Sequence, residues 1–459
     1  MEEKPNKFKA FLNKIKAFFK SFYTKFGLKK IIIGSCILVV VLGLAIGLPI
    51  GLTQCSNGGD DQTTTSSTNG GGSSTSGKVT VTFKNADGTT LSTSETTVGG
   101  SVSYEGTPTM DSKTEGDFTY KYKFLSWDKS LENITEDTVV TAQYDTIKYT
   151  ANKATIYYGQ YPQSKVTDAT IISNLNTLAG DLPTASNLGN WTDYHYYIAG
   201  VETSFMYYID IDLDNDGQND YRGVYFTSYR PDTTTKNEAT ASTQMNSGYT
   251  KGITHWFKYE EIAWKLLNEK EGYCFATTEK LIDAQAFNNT TAARPSATDY
   301  KGETSQSGSV IYGNNYKFSS IRSFLNTSFV KTSFKNSAFI PNSLCVSNGA
   351  NTTDHGGNMY ACEDTFDRIF LLAYMEANMR MYSESERVAE PTDYAKCQGI
   401  VLSDSTGATN NTSYFTRSPV YTSQDYYAKY IYHDGRFLNA SCNEIFGVRP
   451  ATDFECGDE

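Results

Sequence analysis

Residues 210–226 read DIDLDNDGQNDYRGVYF and place five aspartates, Asp210, Asp212, Asp214, Asp216 and Asp220, within eleven residues. Tyr207, Tyr208 and Ile209 stand just before them, and Val224, Tyr225 and Phe226 close the stretch. Aromatic and β-branched runs on either side of a Gly/Asp/Asn cluster read as two strands joined by a loop. The same alternation of short strands and turn residues recurs along the chain, so the expected class is α+β, dominated by strands.

Within DLDNDGQND the carboxylates of Asp212, Asp214 and Asp216 recur at every second residue. Gly217 permits a sharp turn, Gln218 offers a carbonyl at the seventh position, and Asp220 stands at the ninth. A hard cation needs several oxygens converging on one point, and alternate residues of a turning backbone supply them, so the spacing is that of a calcium loop. The twelfth position is Gly223, not a bidentate glutamate, and the flanks read as strands, so the likeness to an EF-hand covers only the first half of the loop. The competing reading is a solvated acidic turn, where Asp, Asn and Gly serve backbone geometry alone. Clustered carboxylates repel one another, and in the sequence only Arg222 and Arg230 stand close enough to compensate. Calcium in a structural role is therefore the expected occupant, held by Asp212, Asp214, Asp216, Gln218 and Asp220.

At 459 residues with 39% hydrophobic content, the chain is long enough for two or more folded units. Residues 1–30 carry nine lysines against Glu2 and Glu3, so the net charge of −11 for the chain becomes −18 for the remainder. An acidic body of this kind is a poor partner for nucleic acid. Its 33 tyrosines, with abundant Thr, Ser and Asn, suggest a β-rich secreted protein.

Residues 31–53, IIIGSCILVVVLGLAIGLPIGLT, carry no charge. As a helix they extend about 35 Å, enough for a hydrocarbon core of about 30 Å. The lysines precede this segment while Asp60 and Asp61 follow it, so the expectation is a single-pass anchor in the cell membrane with its N-terminus in the cytoplasm. A cleaved signal peptide and lipoprotein processing at Cys55 are the rival readings. Upstream, Phe8, Phe11, Leu12, Ile15, Phe18, Phe19, Phe22 and Phe26 recur at helical spacing between lysines, so residues 1–30 read as a basic amphipathic segment on the inner leaflet or as a plain stop signal. Residues 54–77 form a Gly/Ser/Thr linker spanning roughly 25–30 Å r.m.s..

Residues 78–145 alternate as short strands, with VTFKNADGTTL as a hairpin, then VGGSVSYEGTPT and YKFLSWDKSLENITEDTVVTAQY, which contains Trp127. This order resembles the internalin-type B-repeat, a small β-grasp-like module of bacterial surface proteins, which implies a spacer or weak interaction module. Residues 146–459 carry YYGQYPQ, WFKYEEIAWKLL, SSIRSFLN, DRIFLL, PTDYA and GVRPA. That series resembles an uncharacterised extracellular domain of surface proteins in low-GC bacteria, which implies location and architecture but no activity. The closing YFTRSP, the glycine turn of YIYHDGRF and GVRPA are also similar to C-type-lectin-like folds.

The remaining candidates carry less. Cys274, Cys345, Cys362, Cys397, Cys442 and Cys456 form an even set with fifteen possible pairings, free buried thiols being the alternative. His195, His255, His355 and His433 belong to no metalloprotease motif, and a Cys442–His433 nucleophile pair is conceivable only as a spatial assembly. Arg322, Arg417 and Arg449 read as internal ion-pair or backbone-bonding partners, with Asp367 and Glu376 as mates. The helix of ATIISNLNTL should bury Ile171, Ile172, Leu175 and Leu178. The expected protein is thus a membrane-anchored bacterial surface protein, not an enzyme, whose calcium-stabilised domain recognises an external host or envelope glycan or protein. Tyr-rich stretches such as YHYY, SQDYYAKYIY and residues 233–252 are the expected contacts. The alternatives are an extracellular hydrolase or modifying enzyme acting on envelope or host polymers, and a purely structural envelope protein.

Overall fold

The strand His255–Lys270 organises the molecule because both of its edges and both of its faces are used. One edge pairs antiparallel with Thr155–Lys165, from Phe257↔Lys165 to Lys265↔Thr155. The other edge takes Tyr221–Phe226 near its start and Tyr273–Thr278 near its end. Successive side chains point to opposite faces of a strand. Trp256 accordingly packs with Leu175, Trp191, Tyr207 and Ile209, while Phe257 enters the main core.

In this computed structural model the described residues are 77–231, 243–291, 294–295, 310–356, 358, 360–400, 411–421 and 425–457. The expected basic segment 1–30, the membrane span 31–53 and the linker up to residue 76 lie outside them. Among the described residues no helix is long and apolar enough to cross a membrane. The fold they form is strand-rich α+β with few helices.

From the central strand the sheet grows in both directions to thirteen strands. Beyond Tyr273–Thr278 come Pro450–Glu455 and Phe370–Leu371. Beyond Thr155–Lys165 comes Thr138–Thr150, paired at Lys148↔Tyr157 and Tyr149↔Ile156. That 13-residue strand also pairs antiparallel with Phe118–Trp127 and parallel with Lys78–Lys84, so the boundary expected after Asp145 falls inside one continuous strand. Residues 78–145 nevertheless keep a core of their own. Val79, Val81, Phe83, Ile134 and Val140 are buried there, and the Trp127 ring lies 4.9 Å from Phe83 and 5.2 Å from Tyr104. Thr75–Glu459 clusters as one unit.

A second sheet of five strands runs in the order Asp283–Ala286, Ile445–Val448, Tyr414–Pro419, Tyr427–Ile431, Phe437–Ser441. Cys274 and Cys456 form a disulfide that ties the end of the chain to the big sheet. Among the described residues Cys345, Cys397 and Cys442 stand outside that disulfide as thiols.

The helix Ala169–Ala179 begins where expected, capped by the Asp168 carboxylate, which accepts from the Thr170 and Ile171 amides at 2.8 and 2.9 Å. Its buried face differs from the expected one. Leu175 and Ala179 are buried and Ile172 packs beside them, while Ile171 and Leu178 are exposed. The helix is turned so that Asn176 accepts a 2.8 Å hydrogen bond from the Trp256 indole, and satisfying that buried donor fixes its rotation.

Candidate metal centre

Strands Met206–Ile211 and Tyr221–Phe226 pair antiparallel up to Ile211↔Tyr221, which leaves residues 212–220 as the hairpin loop. Asn215 and Gly217 adopt left-handed φ values of 57° and 84°, which let the loop fold back on itself. Three carboxylates close it from within. Asp212 Oδ2 accepts from the Gly217 amide at 2.9 Å, Asp214 Oδ1 from the Asp216 amide at 3.2 Å, and Asp220 Oδ2 from the Leu213 amide at 2.7 Å.

Asp212, Asp214 and Asp216 each present an oxygen within 4.8 Å of the others. Asp212 Oδ1 is buried and has no protein partner. Of the five expected ligands the structure therefore gathers these three. Asp220 does not join them and instead closes the loop through Leu213. Gln218 gives both its backbone and side-chain N–H groups to the Asp216 carboxylate, at 2.7 and 3.1 Å. Those two bonds, the side-chain one foremost, hold the Asp216 carboxyl below its usual range, with a smaller contribution from Lys335.

The local cations differ from the sequence expectation. Asp210 belongs to another interaction: Arg222 donates to it twice at 2.7 Å, and the Tyr259 hydroxyl donates at 2.9 Å. Arg230 is buried elsewhere, against the carbonyls of Ala284 and Gln398. The cation that reaches the loop is Lys335, which bonds to the Asp216 carbonyl and lies 3.8 Å from its carboxylate. Nothing in the loop's own spacing points to a lysine so far along the chain. The twelfth position has a packing reason to be glycine, since a Cβ on Gly223 would fall 2.9 Å from the Trp256 ring and 3.1 Å from Ile209.

The other candidates resolve into structural roles. Arg322 meets Asp367 at 2.7 Å, Arg417 grips Glu376 through two bonds of 2.6 Å, and Arg449 donates to the carbonyls of Thr278 and Arg387, as the sequence leads one to expect. The Cys442 thiol lies on the Thr290 carbonyl, and burial pushes it up to about 12, the reverse of an activated nucleophile. The His433 ring is tilted against Tyr432, His195 pairs with Glu202, and His355 stacks on Tyr421. Burial holds the buried His255 ring below its ordinary value.

Of the expected tyrosine contacts Tyr196 and Tyr249 are buried, while Tyr194, Tyr197, Tyr427, Tyr430 and Tyr432 are half-buried. Tyr194 shares a 2.8 Å hydrogen bond with Tyr394, Tyr196 lies under the Arg230 guanidinium at 3.5 Å, and Tyr249 bonds to the Asp393 carbonyl. Of the SQDYYAKYIY tyrosines, Tyr426 is the exposed one.

Residues 279–455 match a domain of unknown function (DUF6273). Neither curated proteins nor solved structures give a match. The matched region takes in the five-stranded sheet and Arg322, Arg417 and Arg449, while the acidic loop and residues 78–145 lie before it.

Proposed function

We propose that this chain is a bacterial surface protein, anchored by residues 31–53 with its N-terminus inside, whose outward domain holds calcium and recognises an external glycan or protein. The observation that carries the outward placement is the Cys274–Cys456 disulfide, a link that persists in oxidising surroundings. It agrees with the lysine excess upstream of residue 31 and the acidic remainder. The extracellular domain and the B-repeat named from the sequence belong to the same reading. So does the C-type-lectin-like likeness, supported by a terminal hairpin whose strands Tyr427–Ile431 and Phe437–Ser441 join Ile445–Val448 in one sheet.

The loop fits calcium on its own donors. Oxygens bound to one calcium at 2.3–2.6 Å lie at most about 4.6–5.2 Å apart, and the three aspartates each present an oxygen within 4.8 Å of the others. Magnesium demands a near-ideal octahedral shell at 2.0–2.1 Å and sheds its waters reluctantly, which suits a loop of carboxylates less well. Asp212, Asp214 and Asp216 would hold the ion, the orphaned Asp212 Oδ1 gaining a partner, while Asp220 and Gln218 keep the loop in shape. The role is structural, since the ion would hold closed the loop that joins the two paired strands.

Adding protease to intact cells tests the placement. Loss of residues 77–457 with survival of the N-terminus is expected, together with a Cys274–Cys456 link that resists thiol reagents until reduced. Protection of the C-terminal region, or free thiols at both positions in freshly lysed cells, contradicts the reading.

A further inference from the structure

The Cys274–Cys456 disulfide has a carboxylate beside it. Glu269 and Cys274 face each other directly across the antiparallel strands His255–Lys270 and Tyr273–Thr278, so their side chains leave the same face of the sheet. Glu269, Cys274 and Cys456 each present one oxygen or sulfur within 4.8 Å of the others. The two cysteines are buried and Glu269 is exposed. A cavity of about 70 Å3 reaches this corner, bordered by Glu269, both cysteines, Lys121 and Lys153. That is well above the roughly 10–15 Å3 that one water needs.

Backbone contacts hold the two cysteines in place without help from the sulfur bond. Cys274 pairs with Phe454 in the ladder to Pro450–Glu455. The Cys456 and Gly457 amides both donate to the Gly272 carbonyl at 2.8 Å, and the Cys456 carbonyl accepts from Lys121 at 2.8 Å. Gly457 packs so closely there that a Cβ on it would fall 2.9 Å from the Gly272 Cα. Reduction would therefore free two thiols that stay side by side, next to a carboxylate.

Charge and ligand type name the ion. Two thiolates and one carboxylate carry three negative charges, which a divalent cation lowers to one, and Lys153, 3.7 Å from Glu269, balances the remainder. Both members of that lysine pair are exposed, so Glu269 turns toward a metal at little cost. Thiolate ligands select zinc, whereas the all-oxygen acidic loop suits calcium. We infer that Glu269, Cys274 and Cys456 form a zinc site in the reduced protein, with water from the cavity in the fourth tetrahedral position. The site replaces the disulfide and does not coexist with it. A phosphine and one water convert the sulfur–sulfur bond to two thiols, the phosphorus being oxidised to phosphine oxide; zinc then forms two bonds to sulfur and releases the two thiol protons. The site lies apart from the calcium loop, and its test is independent of calcium and of membrane orientation.

The full-length chain is reduced with a water-soluble phosphine, freed of it under nitrogen, and titrated with cobalt(II) and then zinc. Sulfur-to-cobalt charge transfer marks thiolate ligands, and cobalt on the aspartates of the acidic loop cannot produce it. Saturable charge transfer is expected in the reduced chain, none in the oxidised chain, and zinc should displace the cobalt. Glu269→Gln, at an exposed position, should weaken zinc at least tenfold while keeping the charge transfer. Cys274→Ser with Cys456→Ser should abolish it, and Cys345→Ser should leave it unchanged. If the double serine variant misfolds, alkylation of the reduced wild-type chain decides: zinc should shield Cys274 and Cys456 and leave Cys345 reactive. No charge transfer in the reduced chain, charge transfer that persists in a folded double serine variant, zinc affinity unaltered by Glu269→Gln, or equal alkylation of Cys274 and Cys456 with and without zinc would each overturn the proposal.

Discussion

Within residues 279–455 every buried arginine meets an answering group, whereas in the hairpin loop at 212–220 the carboxylates converge without an equal cation. Arg417 illustrates the first case, since Glu376, the Asn348 side chain and the carbonyls of Leu371 and Ser347 take up its donors. Burial alone would pull that guanidinium down, but Glu376 outweighs it and keeps the group charged. Arg322 likewise donates to Asp367 and the Lys317 carbonyl, and Arg449 to the Arg387 carbonyl and the Tyr414 hydroxyl. In the loop, three carboxylates share one small space, Lys335 touches only Asp216, and a buried Asp212 oxygen is left over. The difference separates charge used to hold a fold from charge arranged to receive something. A buried ion pair is complete as it stands and predicts loss on either partner's removal; a converging acidic loop predicts a gain when the missing cation is added.

The comparison can be sharpened in order of effect. Reducing the Cys274–Cys456 link, or replacing both cysteines by serine, should be the heaviest blow. The link closes 182 residues, and loop entropy puts its worth at about 5 kcal/mol. Urea denaturation with and without reductant measures this, and an unchanged midpoint would show that packing alone holds the last strand. Arg417→Ala should cost about 3–5 kcal/mol, because the Asn348 oxygen and the carbonyls of Leu371 and Ser347 would lose their donor and Glu376 its counter-charge. A cost under about 1 kcal/mol would place that pair in the class of exposed salt bridges.

Asp453 gives a pH test of the interior. Burial, with a smaller push from Glu376, raises its carboxyl from 3.8 to about 6. A carboxyl whose folded value is raised penalises the folded state once ionised. Stability should therefore fall as pH rises from about 4 to about 6 and stay low above that. Asp453→Asn should remove this slope and raise stability at pH 7 by at most about 3 kcal/mol. A flat wild-type profile between pH 4 and 7 would show that Asp453 is well solvated.

How far the sequence could be read depends on whether the deciding interactions are local. The hairpin around residues 210–226 was legible because strand, acidic turn and strand follow one another, and the arginine partners were legible because buried guanidinium groups must find acceptors. The α+β class followed from the same alternation. Lys335 at the acidic loop, the pairing chosen among six cysteines and the rotation of the helix Ala169–Ala179 were not legible, because each is set by contacts distant in sequence. The stacking of Tyr194 on Tyr196 and the burial of Tyr196 were not legible either, since both depend on what the fold packs around them. Gly223 is instructive, since its place as a non-ligand was visible while its cause, the Trp256 ring on the neighbouring strand, was not.

Whether the acidic loop takes up calcium is tested directly by the melting temperature of the purified full-length chain with calcium or with EDTA. A ligand that binds only the folded state stabilises it by about 2.7 kcal/mol at a hundredfold excess over its dissociation constant. Millimolar calcium should accordingly raise the melting temperature, EDTA should reverse the rise, and magnesium should substitute poorly. Asp214→Asn with Asp216→Asn should abolish the response while leaving the melting temperature in EDTA unchanged or slightly higher, since two repelling charges are removed from a loop whose shape is kept. An identical melting temperature with calcium and with EDTA, and no heat of binding at millimolar ion, would contradict the account and leave residues 212–220 a solvated acidic turn.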